Sequence, residues 1–123
     1  MKHKSSFFAT AQEGDTIVLT PQVDMGETNA DQINAEVGQV LALLNNSQAK
    51  YVVLDFHKTE YFGSTALGLF VRLWKTVSGR KGRMAFCNLS DHEKDILRIT
   101  RLDSLWHICS SKEDALQRMK DEG

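Results

Sequence analysis

The 123-residue sequence has one proline, Pro21, and two cysteines, Cys87 and Cys109. A lone proline leaves no Pro-rich linker, and no repeat or low-complexity tract divides the chain. The expectation is a single domain over residues 1–123, large enough for one core without metal or disulfide support. Both cysteines sit in apolar runs, MAFC and LWHIC. Their spacing matches neither a zinc nor a redox motif, so two buried thiols and no metal site are expected. No apolar run approaches the roughly 20 residues that span a bilayer. The start, MKHKSSFFATAQEGD, turns polar too early for a secretory h-region. A cytoplasmic protein without membrane contact is expected. The net charge of −1 offers no broad surface for nucleic acid.

What is present alternates between strand and helix patterns. SSFFATA and TIVLT flank QEGD, which reads as a hairpin with Gly14 in its turn. TNADQINAEVGQVLALLNN places Ile33, Val37, Val40, Leu41 and Leu44 at helical spacing. YVVLDF, Tyr51–Phe56, is a continuous apolar run that reads as a central parallel strand covered on both faces. Residues 64–78 carry Leu67, Phe70, Val71, Trp74 and Val77 on one stripe, widened by Leu69 and Leu73. Gly79 suits the position after that helix, and the cations of SGRKGR suit its negative end. MAFC and LWHIC read as strands, SDHEKDILRIT and SKEDALQRMK as helices. The order is α/β: a mixed sheet of about five strands, hairpin first and then parallel, with about four helices.

Three helix starts fit [ST]-x-x-[DE]: Thr28 with Asp31, Ser90 with Glu93, and Ser111 with Asp114. There a hydroxyl caps a backbone N–H and an acid offsets the helix dipole. The fourth start, STAL, has no acid; Leu67 stands where one is expected. No Asp or Glu occurs from Tyr61 through Ser90, a segment that holds Arg72, Lys75, Arg80, Lys81 and Arg83. Two readings are open. Ser64 is an ordinary N-cap contributing about 1 kcal/mol, or this helix end is left to receive or carry an anion.

With these residues in view, the chain resembles the STAS domain, and especially the bacterial anti-sigma factor antagonists. PQVDMGETNADQINAEV is similar to the family's strand-end Asp and first helix. VVLDFHKTEYFGSTALGLFVRL resembles the central strand, Asp, short turn and Asp-Ser-Ser/Thr-Gly-Leu-Gly that opens the next helix. GRMAFCNLSDHEKDILRITRLDSLWHICSSKEDAL resembles the closing half. Gly63 and Ala66 stand where the family has Asp and Gly. The resemblance implies a partner switch. The unmodified domain binds an anti-sigma factor that is also a serine kinase; the kinase phosphorylates the first hydroxyl and breaks the complex, and a phosphatase resets it. Carried over, the phosphoacceptor is Ser64, with Thr65 the lesser candidate.

In a parallel α/β sheet the loops after the strand C-termini share one end, where sites form. Here they are residues 21–28, 57–63 and 88–90. The expected docking patch combines Asp24, Met25, Phe62, Gly63, Ser64, Thr65 and Leu67, with Met25 and Phe62 as apolar anchors. For Phe62 a core position, and for Asp24 a plain turn role, are equally open. Asp55, at its strand end, is read as capping a turn or orienting the Ser64 loop. GRKGR reads as a solvated helix end or a contact for an acidic partner.

An enzyme is not expected. His3, His57, His92 and His107 are scattered, and no Gly-x-Ser-x-Gly elbow is present. Asp55, His57, Glu60 and Ser64 lie close in sequence, but a catalytic set is recognised by geometry. The remaining alternative is a STAS scaffold that is not phosphorylated, or a sensor of nucleotides or other anionic ligands. No cofactor is expected, and the sequence leaves the oligomeric state open.

Overall fold

Gly14 makes the first hairpin possible. Its φ of 62° is the left-handed conformation that a two-residue hairpin loop requires, and Glu13 pairs with Thr16 across it. The flanking strands are β1, Phe8–Glu13, and β2, Thr16–Pro21. The carbonyl of Asp15, beside the turn, accepts from the N–H groups of Lys50 and Tyr51 at 3.0 and 3.1 Å. The hairpin thereby fixes the start of β3. The computed structural model describes residues 7–26 and 30–121.

The later elements are α1, Ala30–Ser47; β3, Tyr51–Asp55; α2, Ser64–Ser78; β4, Arg83–Cys87; α3, Asp91–Ile99; β5, His107–Cys109; and α4, Lys112–Asp121. A 3₁₀ turn at Leu102–Ser104, which the sequence pattern did not reveal, precedes β5. The sheet order is β1-β2-β3-β4-β5, antiparallel between β1 and β2 and parallel elsewhere. This is the expected mixed sheet, and β3 is central. The proposed Thr28 cap of α1 lies outside the described residues.

Period-2 alternation sends the strand side chains to two faces. Val52 and Leu54 join the larger cluster, with Ile33, Val37 and Leu44 of α1 and Leu69, Phe70 and Leu73 of α2. Val53 faces the other way, onto Ala115 and Met119 of α4. Burying β3 on both faces is why its sequence is a continuous apolar run rather than an alternation. Aromatic rings fasten α2 to the sheet. Phe70 lies edge-on to Phe56 and Phe86 at 5.7 and 5.2 Å, and Phe86 stacks on Trp106 at 4.8 Å.

One helix end departs from expectation. Gly79 is right-handed, with φ −63°, and the left-handed residue is Lys81, φ 63°. The turn closes through Gly82, whose N–H donates to Val77 O at 2.7 Å where the chain passes close to Lys50. The cations here serve other helices. Arg80 donates to the carbonyls of Leu44 and Ala49, at 3.1 and 2.6 Å, and to Asn45 Oδ1 at 2.8 Å, capping the end of α1. Arg83 donates to Met119 O at 3.0 Å and lies over the Tyr51 ring.

Candidate functional site

The ends of β2, β3 and β4 deliver three segments to one edge of the sheet, and hydrogen bonds weld them together. Asp24 Oδ1 accepts from Glu60 N at 2.9 Å and from Tyr61 N at 3.4 Å. Met25 and Phe62 form a parallel bridge, and Gly63 N donates to Met25 O at 2.8 Å. From the other side, the Ser90 hydroxyl donates to Glu60 O at 2.7 Å, and the Thr59 hydroxyl donates to Glu93 Oε2 at 2.8 Å. The loop before α2 is therefore held from both neighbours.

Two carboxylates organise this end. Asp55 Oδ1 accepts from His57 N at 3.1 Å, His57 Nδ1 at 3.1 Å and Asn88 Nδ2 at 2.9 Å. Burial alone would raise its pKa, but these hydrogen bonds outweigh burial and hold the carboxyl below its ordinary value. Asp55 thus ties the start of the loop to Asn88, which is left-handed at φ 59°. Glu93 is 0% exposed. Burial pushes its carboxyl above the ordinary value, despite hydrogen bonds from the Ser90 backbone and the Thr59 hydroxyl. Glu93 also completes the expected capping box with Ser90.

At the start of α2 the structure corrects the sequence reading. Ser64 is the first helical residue rather than the N-cap. Gly63 holds the cap position in an extended conformation and, lacking a side chain, makes no side-chain cap. The Gly63 carbonyl takes the first helical bond, from Leu67 N at 3.2 Å. The first turn carries no acid. Ser64 is exposed and Thr65 half-buried. The positive end of a buried helix thus presents an exposed hydroxyl, with no carboxylate of its own turn to offset the dipole.

The other patch residues divide. Met25 and Phe62 are 1% and 0% exposed, so neither side chain can anchor a partner. The bridge between them turns both inward, and Phe62 packs on Phe56 and Phe70 at 5.3 and 5.2 Å. Asp24 is exposed, with one oxygen committed to the loop. Leu67 is half-buried against the larger cluster. Gly63 is covered: a Cβ there would lie 3.1 Å from the Tyr61 hydroxyl. Tyr61 also passes over Gly26, and its ring meets that of His92 at 5.2 Å. The sequence reading missed Tyr61, His92 and the Thr59–Glu93 bond. Only the capping box flagged any of them, and its second role is tertiary.

Among the described residues, Asp55, His57, Glu60 and Ser64 form no single hydrogen-bonded set. Asp55 orients His57, but among the described residues no hydrogen bond links His57 to Ser64. Among them there is also no group of three or more His, Cys, Asp or Glu placed to hold a metal, and no helix long and apolar enough to cross a membrane.

Known proteins share this fold. The family model of the STAS domain matches residues 8–115. BtrV of Bordetella bronchiseptica, classed as an anti-sigma factor antagonist, is 26% identical over 96 residues, covering 78% of this chain and 79% of that protein. An anti-sigma-factor antagonist (STAS) domain protein of Planctomyces limnophilus superposes with a TM-score of 0.80 at 29% identity, covering 92% of this chain and 97% of that one. The Bacillus cell fate determinant SpoIIAA in its phosphorylated form shares the fold, with a TM-score of 0.66 at 18% identity, covering 90% and 97%. The family model spans most of the chain and the fold superposes on known members, and the chain belongs to the STAS domain family.

Proposed function

We propose that this protein is an anti-sigma factor antagonist that docks through the Ser64 end of its sheet and is released when Ser64 is phosphorylated. The observation that carries the reading is the exposed Ser64 hydroxyl on the first turn of an acid-free helix without a side-chain cap, on a loop held from both sides. The relatives' names, anti-sigma factor antagonists, supply the partner class, an anti-sigma factor; the family resemblance adds that this partner is a serine kinase and that a phosphatase would reset the switch. SpoIIAA, known in phosphorylated and unphosphorylated forms, supports covalent control within this fold.

A phosphate at Ser64 would not strain the helix, because a helix N-terminus favours an anion by about 0.3–2 kcal/mol. The switch must therefore act on the contact, by setting a dianion where the partner approaches. The exposed contact surface is Ser64 with Thr65, Asp24 and the edge of Leu67, while Met25, Phe62 and Gly63 shape it from below.

The test is binding of wild type, Ser64→Ala and Ser64→Asp to the anti-sigma factor of the same host, beside their melting temperatures. Ser64→Asp should bind roughly a hundredfold more weakly, a loss of about 2.8 kcal/mol, while its melting temperature stays near that of wild type. Equal binding by the two would refute the switch. Gly63, with Tyr61 over it, favours one second reading, a STAS scaffold that is never phosphorylated. Intact-mass analysis of protein from its own host, with peptide mapping across residues 58–75, separates the two.

A further inference from the structure

Cys87 closes β4 and Cys109 closes β5, and the two are register partners in adjacent parallel strands. Register partners share a face of the sheet. Here it is the face under α4, where both side chains pack in one cluster with Val53, Ala115 and Met119. Neighbouring strands lie about 4.7–4.9 Å apart, within the roughly 4.4–6.8 Å Cα separation that a disulfide spans. The fold thus brings together two thiols whose sequence spacing announced nothing.

The two differ in access. Cys87 is fully buried, and burial, with the nearby charges of Asp55 and Cys109, pushes its thiol up to about 12. Cys109 is half-exposed and lines a cleft of about 450 Å³ with Ser110, Asp114, Gln117 and Arg118. An oxidant in solution therefore meets Cys109 first.

We infer that Cys87 and Cys109 form a reversible intramolecular disulfide, making the ends of β4 and β5 a thiol redox site. With a low-molecular-weight disulfide as oxidant, the Cys109 thiol gives its proton to solvent and its sulfur attacks one oxidant sulfur. The oxidant's S–S bond breaks, and the departing thiolate takes up a proton. The Cys87 thiol then gives its proton to solvent, its sulfur displaces the second small thiolate from Cys109, and that thiolate takes up a proton. Two protein thiols are oxidised, and one small disulfide is reduced to two thiols. The bond would open onto the cleft at Cys109, and exposed disulfides are the readily reduced, regulatory ones.

The test exposes the purified chain to glutathione disulfide, alkylates the remaining thiols, and reads intact mass and linked peptides. The expected product is a monomer lighter by two hydrogen atoms, with the Cys87 and Cys109 peptides joined, and dithiothreitol restores the starting mass. Cys109→Ser should abolish it. Any of three results overturns the inference: no reaction, a lasting glutathione adduct on Cys109 with Cys87 still a thiol, or disulfides only between chains. The wild-type masses decide the matter, so a packing defect from substituting buried Cys87 does not enter.

Discussion

Tyr61 and Gly63 act as a pair. The phenol hydroxyl lies 3.1 Å from where a Cβ at residue 63 would sit, so the two positions should be energetically coupled. Gly63→Ala should destabilise by about 1 kcal/mol through crowding, and Tyr61→Phe, which removes the crowded atom, should return part of that loss. Urea denaturation of both single variants and the double variant checks it; strict additivity would show that the hydroxyl is not what crowds residue 63. Gly63 is not the cap that a polar side chain would be, and that leaves the Ser64 turn open. The sequence pointed to Ser64 through adjacent hydroxyls and absent acids. It left the directions of Met25 and Phe62 open, because a parallel bridge between two distant loops decides them.

At the scale of elements, most of the architecture was legible. Gly14 announced the hairpin, the apolar run of Tyr51–Phe56 the central strand, and Ser90 with Glu93 the start of α3. The miss at Gly79 has a physical cause. A glycine after a helix signals a left-handed cap only when no later residue takes that conformation, and here Lys81 does, as the chain turns past Lys50. What the capping box hid is a second task. Glu93 accepts from Thr59 as well as from Ser90, so the start of α3 and the loop carrying Ser64 form one unit. This has a pH signature. A carboxyl whose folded pKa is raised holds its proton longer in the folded state, so its contribution to stability is present at acid pH and is lost as pH rises through and above the ordinary glutamate range. Asp55, lowered in the folded state, contributes with the opposite sign, gaining as pH rises toward the ordinary aspartate range. Glu93→Gln should therefore remove a downward limb from the stability–pH profile above about pH 4.5 and leave the acid limb of Asp55 in place. Denaturant melts from pH 3 to pH 7 read this directly; an unchanged slope in Glu93→Gln would show that Glu93 ionises as freely folded as unfolded.

Across the whole molecule, the uneven charge along the chain resolves into capping at a distance. The acid-free segment from Tyr61 through Ser90 supplies α2 and β4, whose side chains fill the core and leave little exposed surface for carboxylates. Its cations do not gather at Ser64. Arg80 closes the carboxyl end of α1, and Arg83 reaches the Met119 carbonyl in the last turn of α4. Two of the five cations in this stretch thus hold other helices, and the docking reading rests on the other end of α2. These roles separate by experiment. Arg80→Ala should cost roughly 1.5–3 kcal/mol, because a charged donor leaves three acceptors at once, with an unchanged denaturant slope. The same variant should bind the anti-sigma factor as wild type does wherever both are folded, whereas Ser64→Asp should show the reverse pattern, normal stability and weak binding. If Arg80→Ala instead weakened binding without loss of stability, the contact surface would lie beside the Arg80 turn, and the switch would have to be moved from the start of α2 to its end.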